Sequence, residues 1–216
     1  MHAGRRNLDL AYFVYTNEVY GLTKGQASPA LREGEKTKSL PLPNINANMN
    51  ALAAALAAGY TWLGRGYAFD IKHLKELMKK AIQHRGAALL DILQPCPTYN
   101  DIHDKEWYSE PKVQATGMPR IYKLESDAAW DPVVHDPADR DEIVRKQAQC
   151  IGKTMEWGEK IPIGVYYEIQ KPTYEDRVAH RSPAYPAKNP ANEVYWDAAG
   201  RPTASIAKVM DGMRVL

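Results

Sequence analysis

Apolar residues fall into a few short runs, and these runs alternate with segments of helical periodicity. Residues 8–15 (LDLAYFVY) are almost continuously apolar or aromatic, bounded by Asn7 and Thr16. A run of this length predicts a strand buried on both faces, as in a parallel sheet. Residues 47–59 (ANMNALAAALAAG) predict a helix ending at Gly59, whose alanines permit close packing against a sheet. Residues 60–65 (YTWLGR) predict a short strand. Asp70 then fits an N-cap. After it Ile71, Leu74, Leu77, Met78, Ala81 and Ile82 recur at helical spacing, up to Gly86 in the place of a C′ glycine. Residues 87–93 (AALLDIL) predict a second buried strand, stopped by Gln94-Pro95-Cys96-Pro97. Further on, 138–158 predicts a helix and 161–169 (IPIGVYYEI) a strand. The tail, 170–216, reads mostly as coil with a short helix near 203–213.

The order strand, helix, strand, helix, strand predicts βαβ units and an α/β fold with a doubly wound, mostly parallel sheet. Composition subdivides the chain. Ten of the 15 prolines and three of the five tryptophans follow residue 110. Residues 1–110 are therefore expected to form the compact α/β part, and 111–216 an extension with one helix, one strand and an extended arm. Residues 18–46 are a long polar connection with three glycines and three prolines, of the kind that is usually functional or disordered.

Charge and cysteine usage narrow the classes. Lys+Arg number 28 and Asp+Glu 26, a net charge of +2, which argues against a dedicated nucleic-acid binder. No apolar run approaches the roughly 18 residues of a membrane span. Asp9 interrupts the first apolar run and no small-residue cleavage site follows it, so no secretory signal is expected. Cys96 and Cys150 are the only cysteines, which excludes a disulfide scaffold and any four-cysteine metal site made by this chain alone. A cytoplasmic location is expected. The histidines form no His-x-x-His or His-Glu-x-x-His pattern, and neither a Walker A loop nor a Gly-x-Ser-x-Gly elbow occurs.

Ligands of open parallel sheets gather at the carboxyl ends of the strands. Two segments stand there: Thr16 to Gln26, and Gln94 to Thr98. The amide oxygen of Asn17 suits a hard cation such as Mg²⁺, although taken alone Asn17 is more readily a turn former. Lys24, between Gly21 and Gly25, can offer its ammonium to a phosphate or carboxylate, and taken alone is a solvated loop lysine. A thiolate at Cys96 can bind a soft metal or an iron–sulfur cluster, and taken alone is an inert thiol. Cys150 lies within a predicted helix and is expected to be structural.

Together these segments resemble a known family. Arg5 to Leu10 (RRNLDL), Asn17 to Gln26 (NEVYGLTKGQ), Ser28-Pro29, Gln94-Pro95-Cys96, Ile161 to Val165 (IPIGV) and Pro172 to Arg177 (PTYEDR) resemble the β subunit of 2-oxoacid:ferredoxin oxidoreductases. The resemblance runs from residue 2 to about residue 180. It implies that residues 1–110 are the C-terminal portion of a thiamine diphosphate-binding domain. It implies Asn17 and the backbone carbonyl of Val19 as Mg²⁺ ligands, with Tyr20 and Gly21 in the same cofactor-binding loop. It also implies Leu22 and Lys24 near the substrate and coenzyme A, and Cys96 as one ligand of a [4Fe–4S] cluster. The implied activity is coenzyme A-dependent oxidative decarboxylation of a 2-oxoacid, 2-oxoglutarate first and pyruvate next. Electrons would pass singly through the cluster to ferredoxin, in a heteromer with an α subunit.

Two parts of the family pattern are absent from these residues: the Gly-Asp-Gly motif that carries a further magnesium ligand, and the other three cluster cysteines. The 216 residues therefore read as the C-terminal portion of such a subunit, expected to be inactive and to bind neither cofactor tightly when isolated. The alternative is a non-catalytic remnant that keeps the subunit interface and acts as an interaction protein.

Overall fold

The computed structural model describes residues 1–110, 117–183, 197–201 and 212–213. The chain forms two compact units, Met1–Glu175 and Asp176–Leu216, and the sheet and the cleft described below lie in the first. The division expected at residue 110 falls inside that unit.

Five strands form one sheet: β1 (Leu10–Thr16), β2 (Trp62–Tyr67), β3 (Ala87–Leu93), β4 (Ile121–Lys123) and β5 (Ile161–Glu168), in the order β1-β3-β2-β5-β4. β3 is parallel to both β1 and β2. The path from β1 to β2 passes over the place of β3, and the path from β2 to β3 runs back. Right-handed crossovers in opposite directions put their helices on opposite faces of the sheet. Accordingly α2 (Ala51–Ala57) packs through Leu52, Ala55 and Leu56 on the face that carries Leu63 and Leu89. Helix α3 (Ile71–Gln83) packs through Leu77 and Ala81 on the face of Trp62, Ala88, Leu90 and Ile92. This is the doubly wound α/β arrangement.

Differences from the sequence reading have local causes. β5 runs antiparallel to β2 and parallel to β4, so the sheet is mixed. Helix α5 (Arg140–Thr154) crosses between β4 and β5 and joins α2 on its face through Cys150. β1 is a sheet edge, not a strand covered on both faces: Tyr12 and Tyr15 are each 55% exposed. β2 and β3 are buried along their whole lengths. Asp70 does cap α3, accepting from the His73 amide, and Gly59 does follow α2 with φ 87°. Gly86 lies beyond the helix end at His84, and serves another purpose. A Cβ there would come within 2.6 Å of Asn7 Oδ1 and 2.7 Å of Thr61 Oγ1.

Three short helices were not anticipated: α1 (His2–Arg6), α4 (Lys105–Ser109) and α6 (Tyr174–Arg181), the last within the tail read as coil. The helix expected near 203–213 lies outside the described residues apart from 212 and 213.

Candidate active-site cleft

The cleft is built on the edge where β1, β3 and β2 end together. Pairing of Thr16 with Leu93 brings the exits of β1 and β3 side by side, and the Gln94 amide donates to the Thr16 carbonyl at 3.0 Å. Asn17 and Cys96 therefore leave the same rim of the sheet. Asn100 ties the two exits. Its Nδ2 donates to the Asn17 carbonyl (3.2 Å) and to Glu18 Oε2 (2.9 Å). Its backbone N–H donates to the Cys96 carbonyl at 2.9 Å.

Asn17 makes an Asx turn, its Oδ1 accepting from the Val19 N–H at 3.2 Å. It thus has the turn role its residue type suggests, and its amide oxygen retains a second lone pair. Val19 pairs with Ala27 in an antiparallel bridge. The flanking bonds, Tyr20 N–H to Gln26 and Ser28 N–H to Glu18, carry that pairing. In such a non-hydrogen-bonded position the residue's own N–H and C=O point away from the partner strand. The Val19 carbonyl is therefore turned to the same side as its N–H, where Asn17 Oδ1 lies. Asn17, Val19 and Tyr20 line a cleft of about 290 Å³.

Gly21, Leu22 and Lys24 do not line this cleft. They form the tip of the hairpin that closes as Gly25 N–H donates to the Tyr20 carbonyl at 2.7 Å. Leu22 is 98% exposed, and Lys24 is exposed with a left-handed φ of 75°. The tip is anchored behind. Ser39 Oγ donates to the Gly25 carbonyl at 2.6 Å, and a Cβ on Gly25 would sit 2.5 Å from Ser39 Oγ. Cys96 is a half-buried free thiol outside the cleft lining, whereas Cys150 is buried, and burial pushes its thiol up to about 12. One accessible thiol does not make a cluster site, since such a cluster takes four protein ligands.

Residues that local sequence patterns did not single out complete the cleft. Its floor is an ion pair between neighbouring strands: Arg65 Nε to Asp91 Oδ2 at 2.9 Å, both side chains almost fully buried. Asp91 Oδ1 accepts from Thr16 Oγ1 at 2.5 Å, and Arg65 Nη1 meets Tyr166 Oη at 3.3 Å. Burial opposes the Arg65 charge, but Tyr166 and Asp91 outweigh it and raise its pKa. Behind the rim, Glu18 adopts φ 67°, a conformation that costs a non-glycine residue roughly 1–2 kcal/mol. Its buried carboxylate is held by Asn100 and by His103 Nδ1, and His103 Nε2 reaches Glu35 Oε1 at 3.3 Å. Burial disfavours a charge on His103, but the bonds to Glu18 and Glu35 prevail and hold it up to about 9. The donor atoms of Glu18, Glu35 and His103 lie within 4.8 Å of one another. A protonated imidazole donates from both ring nitrogens to the two carboxylates, which leaves it no lone pair for a metal.

Arg32 is a half-buried residue of the cleft lining. Its guanidinium stacks 4.3 Å from the Trp157 ring, and both residues line the cleft. Its Nε is buried without a hydrogen-bond partner. Desolvation lowers its pKa, against the pull of Glu35 and Glu18.

Comparison with known proteins bears on the family to which the chain belongs. Residues 1–92 match the family described as thiamine pyrophosphate enzyme, C-terminal TPP binding domain. Residues 96–182 match the family that describes the C terminal of the pyruvate ferredoxin oxidoreductase beta subunit. The chain is 51% identical over 214 residues to a 2-oxoacid:ferredoxin oxidoreductase subunit beta of Saccharolobus solfataricus, covering 99% of this chain and 66% of that protein. The chain belongs to the 2-oxoacid:ferredoxin oxidoreductase β subunits.

Within this β-subunit family it is also 53% identical to a Sulfolobus relative, over 89% of this chain and 59% of that protein. The chain thus spans about two thirds or less of the length of the curated relatives it matches. A 2-oxoglutarate oxidoreductase subunit KorB of Mycobacterium tuberculosis is 33% identical over 88% of this chain and 56% of that protein. Among solved structures, 2-oxoglutarate:ferredoxin oxidoreductase from Magnetococcus marinus superposes with a TM-score of 0.70 at 23% identity. The match covers 99% of this chain and 61% of that one, and establishes the shared fold. Among the described residues no helix is long and apolar enough to cross a membrane.

Proposed function

We propose that this chain is the cleft-forming part of a cytoplasmic β subunit whose complete enzyme oxidatively decarboxylates a 2-oxoacid. 2-Oxoglutarate is favoured and pyruvate is next, with coenzyme A as acyl acceptor and ferredoxin as electron acceptor. One observation carries the reading: Asn17 Oδ1 and the Val19 carbonyl are turned to one side at the carboxyl edge of a parallel strand pair, beside a cleft. The donor set is oxygen only, which suits Mg²⁺ rather than a soft metal. Arg32, which lines the same cleft with its guanidinium over Trp157, suits an anion such as a diphosphate.

Asn17 Oδ1 and the Val19 carbonyl would supply two oxygens to a Mg²⁺ ion, which would neutralise charge on a diphosphate. Glu18, bonded to Asn100 and His103, keeps the backbone between those two ligands in its left-handed conformation. The Arg65–Asp91 pair fixes the strand end from which that loop departs. When bound, thiamine diphosphate supplies the electron sink that cleavage of a 2-oxoacid carboxylate requires. Leu22 and Lys24, at the exposed hairpin tip, would lie close to substrate and coenzyme A. Cys96 would join thiols from outside these residues in ligating a [4Fe–4S] cluster. The relatives named for 2-oxoglutarate support that choice of substrate.

The test uses the assembled oxidoreductase. Asn17→Ala should raise the Mg²⁺ and thiamine diphosphate concentrations needed for half-maximal activity. Cys96→Ser should remove the visible absorption of the cluster. Unchanged cofactor demand in the first variant would return Asn17 to a purely turn-forming role, and unchanged iron content in the second would remove Cys96 from the cluster.

A further inference from the structure

Among the described residues two arginines line the cleft, and they differ in one respect. Arg65 is committed: Nε is bonded to Asp91 and Nη1 to Tyr166. Arg32 is not. Its backbone N–H donates to Glu35 Oε2 at 3.1 Å, which fixes where the side chain departs. Its guanidinium carbon lies over the Trp157 ring, 4.3 Å from the centroid, which restrains where the group sits. Glu35, whose charge acts on Arg32, directs Oε1 to His103. The outcome is a half-buried, oriented cation whose Nε is buried with no acceptor. A buried donor left without a partner costs roughly 1–3 kcal/mol. The guanidinium over Trp157 belongs to a cleft-lining residue, and a stacked guanidinium presents its planar edge to carboxylate or phosphate oxygens.

We propose that Arg32 is the anion-binding residue of this cleft, taking either the diphosphate of the cofactor or a carboxylate of the 2-oxoacid through the guanidinium that Trp157 orients. The inference rests on the reading of the cleft given above and adds a residue to it. Both anions offer paired oxygens, and the residue chemistry is the same for each.

The experiment compares wild-type, Arg32→Gln and Arg32→Lys forms of the assembled oxidoreductase. Mg²⁺–thiamine diphosphate and inorganic pyrophosphate are titrated calorimetrically into cofactor-free protein, and KM is measured for 2-oxoglutarate and pyruvate. If Arg32 holds the diphosphate, Arg32→Gln weakens both titrations by roughly 10-fold or more. Arg32→Lys, which keeps the charge but loses the planar fork, then falls between the two. If Arg32 holds a substrate carboxylate, the titrations are unchanged and KM rises by a similar factor with kcat less affected. A KM rise for 2-oxoglutarate alone identifies its distal carboxylate. A purely structural Arg32 would lower the unfolding temperature of Arg32→Gln while leaving every binding constant and KM as in wild type, and that result overturns the proposal. Failure of the wild-type complex to bind Mg²⁺–thiamine diphosphate would instead sink the reading of the cleft. In that case the pyrophosphate titration still decides Arg32, equal or absent binding by wild type and variant counting against it.

Discussion

At the residue scale, the family motifs mix chemistry with architecture. Asn7, in the first motif, is buried and has four structural partners: Oδ1 accepts from Ala87 N–H and Thr61 Oγ1, and Nδ2 donates to the Lys171 and Pro172 carbonyls. Gly25, in the lysine-bearing motif, is needed because Ser39 and Tyr99 press against it. Neither role is visible in a linear pattern, since the neighbours are 14 to 165 positions away. The same holds for His103, whose bond to Glu18 spans 85 positions. Its folded-state value of about 9 lies above the ordinary 6.5, so the proton stabilises the folded chain. That contribution is complete below about pH 6.5 and is lost as pH rises through about 9. A shift of this size corresponds to something on the order of 3 kcal/mol. Denaturant unfolding of the chain between pH 6 and 10 should show wild-type stability falling across that window. His103→Gln should be less stable at pH 6.5 and show a flatter profile. A wild-type curve without the fall would remove the proton from this account.

At the element scale, helix α2 shows how a short segment becomes helical. Seven residues make a marginal helix by propensity alone. Asn50 supplies what is missing. Its Oδ1 accepts from Ala53 N–H at 3.1 Å, and its Nδ2 donates to the carbonyl and hydroxyl of Thr154, each at 3.0 Å, locking α2 to the end of α5. Asn50→Ala removes a cap and an inter-helix clamp together. It should destabilise the chain by about 1–2 kcal/mol, read as a lower denaturant midpoint. A midpoint equal to wild type would mean that the helix is held by its leucines alone. The alanine-rich run made α2 legible, and helical spacing with an N-cap made α3 legible. The direction of β5 was not legible, because a run such as IPIGVYYEI records burial but not the strand beside it. β1 misled for the same reason: its aromatic residues read as core, yet two tyrosines face outward at the sheet's edge.

At the scale of the whole molecule, the cleft is a meeting of distant segments. Thr16, Arg65 and Asp91 come from three strands that only the crossover topology makes neighbours. Asn17 and Val19 were legible through family resemblance, whereas Arg32 and Trp157, 125 positions apart (157 − 32), had no shared signal before folding. The topology has a further effect. β1 closes one side of the sheet, and among the described residues no strand pairs with its outer side. Seven residues of extended backbone there offer a ladder of donors and acceptors flanked by two tyrosine rings. Exposed edges of this kind template the addition of another strand. Sedimentation of the isolated 216-residue chain should therefore show self-association that grows with concentration. Tyr12→Lys, which sets a charge on that border, should shift the distribution toward monomer. A chain that stays monomeric at every concentration would mean that this border is sheltered, and its tyrosines would then need some other explanation than stickiness.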